Sequence, residues 1–201
     1  IFIIREAYAK VKNLALLWSM GKDSTVLLHL VKKAFMGHCP VPLVHVDESY
    51  EPDEMIAWRD DYVKRHGLRL IVGQNKKALE EGMGPHKGRL VCCNALKTVA
   101  LQQTIQEHKI QALLVGIRRD EEGSRGKERV VSPRSSSGEW KYKDQPAEIW
   151  HYFNLHTPKD VHLRIHPILH WNELSIWEYI QSESIEVIPL YFAREGKRYR
   201  S

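Results

Sequence analysis

The chain has 201 residues, 43% of them hydrophobic and 27% charged, which is the composition of an ordinary globular domain with its own core. It contains no run of about 18 apolar residues, so the sequence excludes a long membrane-spanning helix and we expect no membrane partner. The formal net charge of +5 favours polyanionic ligands. Three cysteines are too few for a disulfide framework, so we expect a reducing, cytoplasmic location.

Short apolar runs predict β-strands at residues 14–18, 43–46, 69–72 and 112–115. These runs are continuous rather than alternating, which is typical of strands that are buried on both faces. We therefore expect an α/β protein with a mostly parallel sheet.

Apolar residues at helical spacing predict helices between these strands and at the C-terminal end of the chain. The predicted helices cover residues 26–35, 55–65, 91–108 and 173–182, the last with Asn172 as its N-cap. We expect a single domain over residues 1–201. The chain starts without methionine, so we also expect it to be the core of a longer protein with a further C-terminal tail.

The polar segment from Gly116 to about Asp160 is rich in Arg, Glu, Ser and Lys, and it predicts a long functional loop or lid. Its first part follows the fourth strand. Guanidinium groups can grip phosphate or sulfate with two hydrogen bonds, whereas mixed charges can also form a solvated, self-paired surface. The candidate ligand-binding residues of this part are Gly116, Arg118, Arg119 and Arg125.

The strongest local motif joins the first predicted strand to the first predicted helix. It consists of Ser19, Met20, Gly21, Lys22, Asp23 and Ser24. Free N–H groups at a helix start attract phosphate oxygens, Gly21 permits close approach, and Lys22 adds a positive charge. The spacing is not that of a Walker A loop, and a plain strand–helix turn is the alternative.

The second predicted strand ends in Asp47, Glu48 and Ser49 at the same edge of the sheet. Asp47 is a candidate to help hold Mg²⁺ or to contact a nucleotide, with helix capping as the alternative. Cys92 and Cys93 could belong to an iron–sulfur site, but such a site needs four ligands, and we favour two small buried residues. The histidines show no metal-binding spacing, so we predict no metal site built from the protein alone.

The motif Ser-Met-Gly-Lys-Asp-Ser resembles the PP-loop of the adenine nucleotide α-hydrolase-like superfamily, which includes sulfonucleotide reductases and ATP sulfurylase. Segments 116–129, 148–154, 171–180 and 188–193 resemble the small catalytic subunits of bacterial ATP sulfurylase, sulfate adenylyltransferase subunit 2. This resemblance covers nearly the whole chain in order. It implies a three-layer α/β fold with a mostly parallel sheet.

The resemblance implies that the chain binds ATP with its pyrophosphate at the loop Ser19–Ser24, together with Mg²⁺. Sulfate would attack the α-phosphorus and yield adenosine 5′-phosphosulfate and pyrophosphate. Lys22 would neutralise the pyrophosphate, and the arginines would place the sulfate and the α-phosphate. The resemblance also implies a GTPase large subunit as a separate partner chain. The residues with these implied catalytic roles are Lys22, Arg118, Arg119 and Arg125.

Three alternatives remain open at this stage. The Cys92-Cys93 pair favours an adenylyl-sulfate or phosphoadenylyl-sulfate reductase whose further cysteine lies in the tail. The basic charge permits a sulfur-transfer enzyme that acts on nucleic acid, although no RNA-binding appendage is recognisable and we do not expect a nucleic-acid partner. A non-catalytic nucleotide-binding subunit that regulates a partner is the third alternative.

Overall fold

The computed structural model describes residues 1–135 and 161–193, together with Trp140, Lys143 and Leu155. The strands are β1 (Leu14–Leu17), β2 (Leu43–Val46), β3 (Leu70–Gly73), β4 (Ala112–Val115), β5 (Val131–Ser135) and β6 (Val161–Ile165). The helices are α1 (Phe2–Lys10), α2 (Lys22–Ala34), α3 (Asp53–Arg65), α4 (Lys76–Glu80), α5 (Arg89–Cys93), α6 (Ala100–Glu107) and α7 (Glu173–Ser182).

All six strands form one sheet in the order β3-β2-β1-β4-β6-β5. Each neighbouring pair is parallel except β5 and β6, which are antiparallel. The predicted α/β fold with a mostly parallel sheet is confirmed. Because the strand order reverses between β1 and β4, the carboxyl ends of these two strands bound a crevice, where open α/β sheets bind ligands.

Apolar side chains cover the two faces of the sheet and make three layers. One core contains Ile4 of α1, Leu27 of α2 and Ile176 of α7. The core on the other face contains Leu101 and Ile105 of α6. The helix α2, whose first turn belongs to the loop Ser19–Ser24, therefore lies on the face opposite α6.

The four predicted strands and the four predicted helices are confirmed, with shifts of a few residues at their ends. Asn172 caps α7, because its Oδ1 accepts a hydrogen bond of 2.8 Å from the Ser175 N–H. The helix predicted over residues 91–108 is continuous through a π-helical segment, Asn94–Val99, between α5 and α6. No helix in the described ranges has the length and apolarity that a membrane crossing requires.

The prediction of one loop from Gly116 to about Asp160 is wrong for β5, which pairs with β6 over five residues. The sequence hides both strands because one face of each is polar and yet buried. Ser132 and Arg134 of β5 lie beside Arg164 and His162 of β6. Such alternation in a short segment has the polarity of a loop. The resembling segment 148–154 lies outside the described residues.

Candidate functional site

The loop Ser19–Ser24 wraps the N-terminus of α2. Its backbone turns at Met20, whose φ of 63° is unusual for a residue with a side chain, and the Met20 side chain is fully buried. The Ser24 hydroxyl accepts a hydrogen bond of 3.3 Å from the Ser19 N–H and donates one of 2.9 Å to the Gly21 carbonyl. The loop is therefore held in shape by its own side chains.

Gly116 allows the end of β4 to approach this loop closely. A Cβ atom on Gly116 would lie 3.0 Å from the Asp23 carbonyl carbon and oxygen and 3.0 Å from the Ser24 nitrogen. The result is a cleft of about 550 Å³ between the ends of β1 and β4, lined by the loop and by Arg118 and Glu173. The cleft lies at the topological switch point of the sheet.

Tyr191 lies over the first helical N–H group of α2. The Lys22 N–H donates a hydrogen bond of 2.9 Å to the Tyr191 hydroxyl, and the Tyr191 ring packs edge-on against Trp177. The backbone N–H at this helix start thus bonds an oxygen atom, as it would bond a phosphate oxygen. The sequence analysis did not single out Tyr191.

Lys22 and Arg118 are both engaged by carboxylates. Lys22 Nζ lies 2.9 Å from Asp23 Oδ2 and 3.1 Å from Glu173 Oε2. Arg118, only 3% exposed, contacts Asp23, lies 2.8 Å from Asp120 and reaches Glu173 at 2.7 Å. Burial opposes ionisation of Glu173, but the hydrogen bond from Lys22 and the nearby Arg118 lower its pKa overall. We call these five residues the loop ion cluster.

The structure brings Arg118 to the loop but gives Arg119 and Arg125 other contacts. Arg119 Nη2 donates to the Glu128 carbonyl at 3.0 Å, and its Nη1 lies 3.0 Å from His170 Nδ1. Arg125 lies 3.2 Å from Glu122 and 3.9 Å from Glu128. The three candidate arginines therefore divide between the loop and the surroundings of Glu128.

Asp47 directly follows β2, at the expected edge of the sheet, and its Oδ1 accepts a hydrogen bond of 2.7 Å from the Ser49 N–H. Within residues 1–135 and 161–193 and the three isolated described positions, no cluster of three His, Cys, Asp or Glu residues could hold a metal ion.

A second cleft, of about 370 Å³, opens behind the loop. Its lining residues are Leu17, Trp18, Ser19, His45, Val46, Glu48, Glu51, Lys97, Thr98, Leu101 and Arg164. Lys97 lies 2.9 Å from Glu48, and His45 lies 3.0 Å from Glu51. The hydrogen bond to Glu48 raises the pKa of Lys97. Leu17 and Ser19 line both clefts, so the two clefts adjoin at the end of β1.

The three cysteines carry no disulfide. Cys92 is buried with Ala78 and Leu96, whereas Cys93 is partly exposed. The preferred interpretation of both cysteines as small buried residues is therefore confirmed for Cys92 and wrong for Cys93, which lies at the partly exposed end of α5. Trp171 and Trp177 pack against the main core.

Comparison with known protein families gives one match, over residues 13–201, to the phosphoadenosine phosphosulfate reductase domain. Among curated relatives, sulfate adenylyltransferase subunit 2 of Methylobacterium radiotolerans is 47% identical over 97% of this chain and 62% of its own length. The protein of the same name from Bacteroides thetaiotaomicron is 44% identical over 97% of this chain and 65% of its own length. The chain thus spans less than two thirds of these relatives.

Solved structures share the fold. The phosphoadenylyl-sulfate reductase of Candida auris, in a phosphate complex, has a TM-score of 0.68 and 16% identity over 94% of this chain and 82% of that chain. The FMN adenylyltransferase of Candida glabrata, in complex with ATP, has a TM-score of 0.64 and 18% identity over 94% of this chain and 54% of that chain. At these identities the likeness concerns the fold alone.

Proposed function

Because the chain belongs to the phosphoadenosine phosphosulfate reductase domain family, we propose that it is the catalytic part of an ATP:sulfate adenylyltransferase. The observation that carries this proposal is the loop Ser19–Ser24 at the switch point of the sheet, in a chain 44–47% identical to relatives named sulfate adenylyltransferase subunit 2. The reaction joins ATP and sulfate and releases adenosine 5′-phosphosulfate and pyrophosphate.

The β- and γ-phosphates of ATP bind at the loop. The Lys22 N–H, now bonded to Tyr191, is directed at this position, and the macrodipole of the 13-residue helix α2 favours negative charge there. The Lys22 ammonium group exchanges its contacts with Asp23 and Glu173 for phosphate oxygens. Ser19, Gly21 and Ser24 supply hydroxyl and backbone groups around the same position, Met20 sets the turn, and Gly116 provides the space.

The chemical step needs position and charge rather than proton transfer. A sulfate oxygen attacks the α-phosphorus and forms the new P–O bond, while the bond to the bridging oxygen breaks and pyrophosphate leaves with its electrons. Sulfate is already an anion, so no general base is required. The protein lowers the barrier by aligning the attacking and leaving oxygens and by stabilising the charge on pyrophosphate. Arg118, next to the loop, contacts the α-phosphate in this arrangement.

The donor set fits Mg²⁺ only together with ATP. Mg²⁺ is usually held by one or two carboxylates plus phosphate oxygens and water, and Asp47 offers such a carboxylate at the same sheet edge. Bound Mg²⁺ would neutralise negative charge on the phosphates. We assign Asp47 as its protein ligand or as a nucleotide contact. Arg119 and Arg125 then hold the segment after β4 in place through Glu128.

The name "subunit 2" of the relatives supports a hetero-oligomer, and we propose a GTPase large subunit as the partner and the cytoplasm as the location. The test is to incubate the full-length protein with ATP, sulfate and Mg²⁺, with and without such a partner. We expect pyrophosphate and adenosine 5′-phosphosulfate only when sulfate is present. Sulfate-independent turnover, or thiol-dependent release of sulfite from adenosine 5′-phosphosulfate, would contradict this function.

A further inference from the structure

Arg164 is a charged residue on an apolar face of the sheet. The strand register aligns Arg164 of β6 with Leu113 of β4, and Leu113 with Ala15 of β1. Residues aligned in this way point to the same face, and this face carries the core that contains Leu101. A guanidinium group among such neighbours is costly unless it has a partner.

Arg164 is partly buried, and the described residues around it supply no partner for its guanidinium group. Arg164 forms no hydrogen bond or ion pair with any residue in the described ranges, and its Nε atom is inaccessible to water. Burial lowers the pKa of Arg164, with Glu128 acting in the opposite direction. A buried polar atom without a partner calls for a specific explanation, because most such atoms are paired.

The carboxylate whose charge acts on the pKa of Arg164, Glu128, is already engaged by other arginines. Glu128, which is 1% exposed, lies 2.6 Å from Arg134 and 3.9 Å from Arg125. One buried carboxylate therefore serves three guanidinium groups, counting Arg164. The excess of positive charge in this region would be offset by a bound anion.

Arg164 also lines the second cleft, behind the loop. The other basic residues of that cleft, Lys97 and His45, are each paired with a glutamate. Among the cleft residues that the structure describes, Arg164 is thus the basic residue whose side chain is not paired with a carboxylate and could bind an anionic ligand. Ser19 joins this cleft to the cleft at the ends of β1 and β4.

We propose that Arg164 binds the acceptor substrate, a tetrahedral oxyanion of the sulfate class, in the cleft behind the loop. This assignment rests on the proposed adenylyl transfer. A planar guanidinium group binds such an anion through two parallel hydrogen bonds. The two clefts share Leu17 and Ser19, so the acceptor and the pyrophosphate would lie in adjoining clefts with the α-phosphorus between them.

The test compares Arg164→Met with a matched control, Arg69→Gln, which changes an exposed arginine bonded to the Pro40 carbonyl. Thermal unfolding of the full-length protein is followed in sodium sulfate and in sodium chloride at equal ionic strength, with and without ATP. A ligand that binds only the folded state stabilises it, whereas the general salting effect of sulfate is shared by both variants. Steady-state kinetics give KM for sulfate and for ATP.

For Arg164→Met we expect the specific sulfate stabilisation to disappear and KM for sulfate to rise at least ~10-fold, about 1.4 kcal/mol. The KM for ATP and the thermal stability without sulfate of Arg164→Met should match those of the control variant Arg69→Gln. Arg164→Lys keeps the charge but loses the two-pronged geometry, and we expect an intermediate KM for sulfate. If Arg164→Met does not fold, the same two quantities, the specific stabilisation by sulfate and the KM for sulfate, are measured for Arg164→Lys.

An unchanged response to sulfate in the Arg164 variants would overturn this assignment, and so would an equal loss of ATP affinity. Failure of the proposed function looks different, because the unsubstituted protein would then show no ATP-dependent stabilisation or no sulfate-dependent turnover. The two results are therefore distinguishable in one set of experiments.

Discussion

The loop ion cluster and the β5–β6 edge of the sheet handle buried charge in opposite ways. At the loop, Lys22 and Arg118 are matched by carboxylates, among them Asp23 and Glu173. At the β5–β6 edge, Arg134 is paired with Glu128, whereas Arg164 has no partner in the part of the chain that the structure describes. Matched charges preserve the shape of a site without ligand. An unpaired cation instead carries an uncompensated desolvation cost, which a bound anion would offset.

The largest expected effect breaks the loop side of this comparison. In Gly116→Ala the new Cβ meets backbone atoms of Asp23 and Ser24 at 3.0 Å, so either β4 or the loop must shift. We expect ATP affinity to fall on the order of 1,000-fold, or about 4 kcal/mol. Gly123→Ala is the control, because its Cβ meets nothing within 4 Å. Calorimetric titration with ATP measures both, and wild-type affinity in Gly116→Ala would refute the role of Gly116.

The second prediction sets Arg118→Met against Arg164→Met. Removal of Arg118 leaves Asp23 and Asp120 without their buried cation, and we expect the free energy of unfolding to fall by about 3 kcal/mol. Removal of Arg164 leaves no carboxylate unpaired among the described residues. The free energy of unfolding of Arg164→Met without ligand should therefore equal or exceed that of the unsubstituted protein. Urea unfolding measures both. Equal destabilisation by the two substitutions would remove the distinction between the two regions.

The third prediction concerns pH and the β5–β6 edge. Burial, together with Arg164 and Arg134, lowers the pKa of His162 to about 4, and burial lowers that of His166 to about 3. Between pH 6.5 and these values the unfolded chain binds more protons than the folded one. Stability is therefore full above pH 6.5 and falls on acidification.

The expected loss from the two histidines together is on the order of 2 kcal/mol by about pH 5.8. Urea unfolding at a series of pH values measures it. His162→Gln should flatten the dependence of the free energy of unfolding on pH between pH 6.5 and 4.5. The control is His108→Gln, which changes the C-cap residue of α6. A slope that is the same in both variants would contradict the assignment to His162.

The smallest expected effect is at Tyr191. Pyrophosphate must displace its hydroxyl from the Lys22 N–H, so Tyr191→Phe removes a competitor that is worth about 1 kcal/mol. We expect Tyr191→Phe to bind pyrophosphate roughly 5-fold more tightly, as measured by titration. Tyr8→Phe is the control, and its affinity for pyrophosphate should be unchanged. Weaker binding in Tyr191→Phe would mean that the hydroxyl contacts the ligand instead.

Local sequence patterns predicted the centre of this fold well. The buried strands β1 to β4 are continuous apolar runs, and the loop motif falls between β1 and α2, so both could be found from short windows. The strand β6 escaped because Arg164 and His162 give its buried face a polar pattern. His162 is buried and Arg164 partly buried because β6 pairs with β4 and β5, and such long-range contacts are invisible in a short window.

The site was predicted only in part for the same reason. Lys22 and Arg118 were expected at the loop, and they meet there through Asp23 and Glu173. Arg119 was expected beside them, yet it lies against the Glu128 carbonyl, because the chain turns after β4. Neighbouring arginines in sequence point to different places, and only tertiary packing decides which of them reaches a ligand.

The most direct test of the account is a crystal structure of the full-length protein with a non-hydrolysable ATP analogue, Mg²⁺ and selenate, whose selenium can be located by anomalous scattering. We expect the β- and γ-phosphates at the Lys22 N–H, with Tyr191 displaced, and selenate at Arg164 in the adjoining cleft. Phosphates bound away from the loop Ser19–Ser24 would contradict it.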